Sequence, residues 1–319
     1  MHDPDQIERV PAAGQPLPVD VPGRAPEGVA AAADRVLSTK QLAWRRFKRH
    51  KLAIISALLL IVLALVTIFV GLISQFGFAQ QNLLHRVKPP SSNHWFGTDQ
   101  LGRDEFTRVL YGGRISLLVG FTVALSAGVI GALVGSVAGY YGGWIDNVLM
   151  RVTDLFLSIP FLVVLIIAAA ALGGSLFDIV VILSAVLWMP DARIVRGVFL
   201  SLKEKEFVEA ARASGASNGR IIFYHMLPNA MGPIIVNVTL TVAAAILTES
   251  ALSFLGFGVQ PPTPTWGNLL NGSRQFAQLY PWLVWFPGLA ILITVLCVNF
   301  LGDGLRDALD PHQKIGAPG

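Results

Sequence analysis

Six stretches of this chain, at about 52–74, 114–138, 147–172, 177–198, 232–254 and 283–302, are apolar for roughly the 20 residues that a helix needs to cross a bilayer. A chain built this way cannot close around one water-facing domain. Hydrophobic residues make up 53% of it and charged residues only 14%, too few to coat a soluble surface of this length. The expected fold is therefore an all-α integral membrane protein with six transmembrane helices.

Charge placement sets the orientation. The cluster Arg45-Arg46-Phe47-Lys48-Arg49-His50-Lys51 stands immediately before the first span and is expected to stay in the cytoplasm. Six crossings then put both termini inside. On that arrangement 18 of the 24 Lys and Arg lie inside and 6 outside. The loop 193–220 contributes six of the inner ones independently of the N-terminal cluster. The net charge of +4 is thus explained by topology and is no sign of nucleic-acid binding. Cys297 is the single cysteine, so no intrachain disulfide can form.

Residues 1–34 are rich in Pro, Ala, Gly and acids without apolar periodicity, which reads as a disordered tail and not as a signal peptide. The expected organisation is a disordered cytoplasmic tail (1–40), a region with the first transmembrane helix and an extracytoplasmic segment (41–113), a core domain (114–305) and a cytoplasmic C-terminal tail (306–319). Gly131, Gly135 and Gly139 in the second span fall on one helix face and allow close helix approach. Packing within the chain is the expected use.

The polar stretch between the fourth and fifth spans is too small for a soluble domain, and lipid would not require it. Ser201-Leu202-Lys203-Glu204 fits a capping box, with a helix following to about Ala213. Gly215 suits the left-handed residue after that helix. A second short helix is expected at about 217–227, stopped by Pro228. Glu209, placed in the last turns of the first helix, would be disfavoured by the macrodipole. It calls for a specific partner, either a local brace across the turn or a docked protein.

Outside, His94-Trp95-Phe96-Gly97-Thr98-Asp99 leads into Leu101-Gly102-Arg103-Asp104 and then Gly112-Gly113. Gly97 and Gly102 allow turns, Asp99 is a candidate cap for a short helix, and Gly112-Gly113 a candidate bend into the second span. The segment serves either as a structural collar or in direct contact with solute. Among intramembrane groups, Glu249 is the most costly and so a candidate for a structural or gating role or for the cavity. Asn237, Asn299 and Asp303 raise the same question. Arg151 and Asp154 are spaced to pair on one helix. No H-E-x-x-H, no paired mid-span aspartates and no phosphate-binding G-x4-G-K-[ST] occur. Neither an enzyme nor a metal site is expected, and no cofactor on this chain.

The sequence Glu209-Ala210-Ala211, three residues, Gly215, then eleven residues before Leu227-Pro228 resembles the coupling loop of ABC importer permeases. One position departs: His225 stands where that pattern usually has isoleucine. The outer segment, Gly139-Tyr140-Tyr141-Gly142-Gly143, Asp154-Leu155-Phe156-Leu157-Ser158-Ile159-Pro160, Glu249–Gly256 and Leu301-Gly302-Asp303-Gly304-Leu305-Arg306-Asp307 resemble the C-type permeases of dipeptide and oligopeptide importers. The resemblance covers about residues 40–312. It implies a heterodimer with a homologous B-type permease in a bacterial or archaeal inner membrane. It also implies two cytoplasmic ATPase subunits, or one fused pair, carrying ATP and Mg, and an extracytoplasmic peptide-binding protein. The coupling residues would be Glu209, Ala210, Ala211, Gly215, Leu227 and Pro228. Nickel and glutathione permeases share much of the pattern, and a stand-alone channel or ion-driven transporter is the alternative from a different class.

Overall fold

In the computed structural model residues 39–310 are described; most of both expected tails lies outside them. A short helix α1 (Thr39–Phe47) precedes α2 (Lys51–Ile68), whose first turn is capped by the His50 ring accepting from the Ala53 N–H at 3.1 Å. The long helix α3 (Glu105–Tyr141) follows a loop, and Asp104 caps it by accepting from the Thr107 N–H at 2.8 Å. Next come α4 (Gly143–Ser158), α5 (Phe161–Leu172), α6 (Leu176–Lys203) and α7 (Glu206–Ala213). The chain then runs through α8 (Asn218–Phe254), the short α9 (Trp266–Ser273) and α10 (Trp282–Leu309). No strand occurs among the described residues.

Contacts at the two ends show that the long elements alternate in direction. His50, before α2, lies 3.8 Å from Asp307 near the end of α10. Tyr140, ending α3, donates to Asn218 at the start of α8 at 2.8 Å. At the opposite end, the indole of Trp266 in α9 donates to the Val109 carbonyl in the first turns of α3 at 3.0 Å. The long elements among the described residues are α2, α3, the bent pair α4 with α5, α6, α8 and α10.

Length and apolarity qualify α2, α3, α8 and α10 as membrane spans, and α4 with α5 as a fifth if the bent pair counts as one. The third expected span, 147–172, is thus not straight but broken by 87°. Pro160 lacks an N–H and disfavours helical backbone before it, so Ile159 is extended and α4 ends at Ser158. Helix α6 is 28 residues long. Asp178, Asp191, Arg193 and Arg196 leave it more charged than the others.

The glycine face of α3 packs on α6. A Cβ at Gly131 would stand 2.5 Å from the Asp191 Cβ, and one at Gly139 2.6 Å from the Phe199 Cβ. Gly135 lies as close to the Ala192 carbonyl. Here the expectation of packing within the chain holds. Gly112 and Gly113, expected to bend the chain, lie instead inside the continuous helix α3. Their missing side chains admit Thr265 and Trp266: a Cβ at Gly113 would meet the indole at 2.9 Å. Trp266 is fully buried and anchors a core cluster with Val109, Leu117, Val242, Ile246, Leu269 and Ile291.

Candidate functional site: the loop between α6 and α8, and the collar

Local sequence explains the loop. Helix α7 runs from Glu206 to Ala213, and Gly215 takes φ +77°, a left-handed conformation that favours glycine. The Gly215 N–H bonds the Arg212 carbonyl at 3.0 Å and the Ala216 N–H bonds Ala211 at 3.1 Å, the paired bonds of a Schellman ending. Underneath, Val208 is fully buried with Tyr140, Phe199, Ile221, Ile222 and Met226, so the loop is seated on α3, α6 and α8. Glu209, Ala210 and Gly215 remain exposed on the outer surface, and Ala211 is half-buried.

Three expectations about this loop are corrected. Ser201 to Glu204 do not form a capping box: α6 continues to Lys203, and Lys205 precedes α7 with no side-chain cap. Glu209 lies in the first turn of α7, not the last, so the helix dipole favours its charge. Its carboxylate makes no hydrogen bond or ion pair among the described residues. Pro228 does not end a short helix. Residues Ile221–Met226 widen into a π-helical turn, and the helix passes through Leu227 and Pro228 to Phe254. A π turn changes which amides need partners, so the N–H that proline lacks is not missed. The His225 side chain is half-buried, and its carbonyl accepts from Asn229 at 2.6 Å.

At the other end, residues 85–108 form a folded collar. Asp99 does not cap a helix as expected; that role belongs to Asp104. Asp99 instead organises its own loop, accepting from the N–H groups of Leu101 (2.8 Å) and Arg103 (3.0 Å). Its second oxygen takes the Arg103 guanidinium at 2.6 Å, with the Arg108 Nε at 3.6 Å. Gly97 and Gly102 take φ of +79° and +69°, so both expected turns are present. At Gly102 a Cβ would strike the Asn82 carbonyl. Asp104 also bonds His94 at 2.8 Å.

Between the ends lie the intramembrane polar groups. Glu249 is fully buried, accepting from Ser253 at 2.7 Å and from Ser116 of α3 at 3.3 Å, so it joins α8 to α3. Asn237 donates to Asp191 of α6 at 2.5 Å, and Thr241 donates to the same oxygen at 3.1 Å. Asn237 also lines a cavity of about 460 Å³ with Ile194, Pro233, Leu240 and Arg306. Asn299 is half-buried and Asp303 exposed. Arg151 does not pair with Asp154; Arg193 does, and Arg196 grips Asp146 with two bonds of 2.5 and 2.6 Å. Asp191, only 3% exposed, was legible as a charged residue but not as the partner of Asn237, since that pairing joins residues 46 apart. No group of metal-ligating residues occurs among the described residues.

Comparison with known proteins follows this geometry. Residues 131–315 match the family of binding-protein-dependent transport system inner membrane components. Residues 38–90 match the N-terminal transmembrane domain of oligopeptide transport permease C. The chain is 46% identical over 272 residues to the dipeptide transport system permease protein DppC of Alkalihalophilus pseudofirmus, covering 85% of this chain and 90% of that one. It is 41% identical to the oligopeptide transport system permease protein OppC of Bacillus subtilis, covering 89% and 95%. An inward-facing structure of the MetNI methionine ABC transporter superposes with a TM-score of 0.53 at 20% identity, over 64% of this chain and 96% of that one, a likeness of fold. With the collar, the exposed Glu209 turn and the apolar spans in place, the chain belongs to the family of binding-protein-dependent inner-membrane permeases, in the branch of the C-type peptide permeases of ABC transporters.

Proposed function

We propose that this chain is one transmembrane half of an ATP-driven importer of dipeptides or oligopeptides, and that the α7 turn receives the ATPase. The observation that carries this reading is the position of Glu209: exposed, unpaired, and mounted on a turn whose underside is locked into α3, α6 and α8. A carboxylate held out on a seated turn is suited to a basic partner, and movement of the turn would be felt by three helices together. Glu209, Ala210, Ala211 and Gly215 form the contact, and Leu227-Pro228 follow the π turn inside α8.

The partners follow from the family. A B-type permease completes the pathway, two ATPase subunits or a fused pair hold ATP and Mg, and an extracytoplasmic binding protein delivers the peptide. The Glu209 turn lies in the cytoplasm with both termini, and the collar faces outside. Closure of the ATPase pair on nucleotide would move the turn and alternate the pathway between outward and inward access. The peptide assignment is supported by the names of the relatives.

The test is ATP hydrolysis and solute uptake in liposomes carrying the full assembly, with dipeptide, longer peptide, glutathione and nickel compared. Peptide-stimulated hydrolysis with uptake is expected, and Glu209→Lys should insert normally while stimulated uptake collapses. Normal uptake by that variant would remove the coupling assignment. Stimulation by nickel or glutathione alone would overturn the substrate, and flux without ATP would overturn the machine.

A further inference from the structure

A cavity of about 330 Å³ lies between the collar and the loop that follows α8. Its charged lining is Asp99, Arg103, Glu105 and Arg108. Asp99 holds both arginines, as described, and the Arg108 Nη1 is further committed to the Phe78 carbonyl at 3.2 Å. The neighbouring Asp104 is committed to His94 and Thr107. Glu105 differs from both acids. It is 1% exposed, its Oε1 is buried without a hydrogen-bond partner, and its side chain forms no ion pair among the described residues. A buried carboxyl oxygen in that state has lost water without gaining a hydrogen bond, a cost of about 1–3 kcal/mol or more.

Of the four carboxamides in the lining, Asn268 is fully engaged with Thr265, Val259 and Thr263, and the other three each donate from their nitrogen. Gln100 donates to the Gly272 carbonyl at 3.0 Å, Gln260 to Gly258 at 2.9 Å and Asn271 to Phe254 at 2.6 Å. The oxygens of these three accept no hydrogen bond among the described residues, and Gln100 and Asn271 each keep a second N–H. The cavity therefore offers one carboxyl group without a hydrogen bond and several spare acceptors, while its two guanidinium groups form ion pairs with Asp99, the Arg108 Nε without a hydrogen bond of its own.

We propose that this cavity binds an organic cation, an ammonium or guanidinium group whose N–H donors are taken by Glu105 and by the oxygens of Gln100, Gln260 and Asn271. Such a group has several donors directed apart, which matches acceptors on different walls. The cation can come from a free small solute or from a basic side chain of a docked protein. The site stands on the collar and the segment after α8, so its test needs no ATPase.

The purified full-length chain in lipid nanodiscs is treated with dicyclohexylcarbodiimide, and the adduct at Glu105 is read by peptide mass spectrometry. Agmatine, which carries both cationic groups, should slow that modification about tenfold or more, as expected for charge-assisted hydrogen bonds to a buried carboxylate. Acetate and glycerol should leave it unchanged. Calorimetric binding of agmatine should fall by a similar factor in Glu105→Gln, checked for folding by circular dichroism. Protection by alanyl-alanine but not its N-acetyl form identifies a solute amino group. Protection by agmatine alone identifies a basic side chain as the natural occupant. Protection by acetate, lack of protection by any amine, or a Glu105 that never reacts would each overturn the proposal.

Discussion

Ser116 on α3 and Glu249 on α8 meet at 3.3 Å in the buried interior, and the same Ser116 hydroxyl accepts the Trp266 N–H of α9 at 3.3 Å. One small side chain thus ties three elements, and the acid in the membrane is its anchor. Replacing Glu249 by Ala leaves Ser116 and Ser253 without their acceptor and opens a void. The expected loss is about 2–5 kcal/mol, from the cavity and the unsatisfied hydroxyls together. Glu249→Gln keeps an acceptor and should retain most of the stability. Thermal unfolding of the detergent-solubilised protein separates the two. If uptake is measured, the loss should track the amount of folded protein and leave KM unchanged.

Gly135 leaves no room for a methyl group against α6, whereas Gly197 has nothing within 4 Å. Gly135→Ala should destabilise by about 1–3 kcal/mol through overpacking. Gly197→Ala should be neutral or stabilising by up to about 1 kcal/mol, because the helix gains propensity. Melting temperatures of the two variants side by side provide the check.

Gly215 has open space around it but a φ of +77°. Gly215→Ala should cost about 1–2 kcal/mol through backbone strain alone. The helical Gly219, equally uncrowded, should accept Ala without loss. Hydrogen exchange at Ala211 to Ala216 should report local opening in the first variant and none in the second.

Arg196 and Asp146 are joined by two bonds, and Asp146 is 8% exposed. A double-mutant cycle with Arg196→Gln and Asp146→Asn should give a coupling of about 1 kcal/mol, since the arginine is partly open to solvent. Arg196→Gln alone should cost more than the coupling, because it leaves a buried carboxylate behind. Urea or thermal unfolding at low and high salt would test this, with the coupling shrinking as salt rises.

The features legible in the sequence were those carried by local chemistry. Apolar runs announced the spans, Gly215 its left-handed turn, and the Gly131, Gly135 and Gly139 spacing a close helix contact. Errors arose where one residue answers to two causes. Pro228 and Gly112-Gly113 read as a stop and a bend, yet a π turn absorbs the proline, and the glycines are small to admit Thr265 and Trp266. Glu209 was misplaced along α7 because the preceding serine and glutamate mimic a cap, which shifted the expected helix start. The polar groups at membrane depth were visible singly, but Asp191 with Asn237 and Glu249 with Ser116 are pairings between separate helices. No local pattern encodes them.

Helix α8 begins beside Tyr140 and ends past Glu249 without a break, 37 residues that span about 55 Å at the helical rise. The element rooted in the loop is therefore the same element that braces the opposite face of the molecule. Its π turn at Ile221–Met226 and Pro233 both lie in its first half, so bending is confined there and the stretch 234–254 meets the hydroxyl cluster around Ser116 as regular helix.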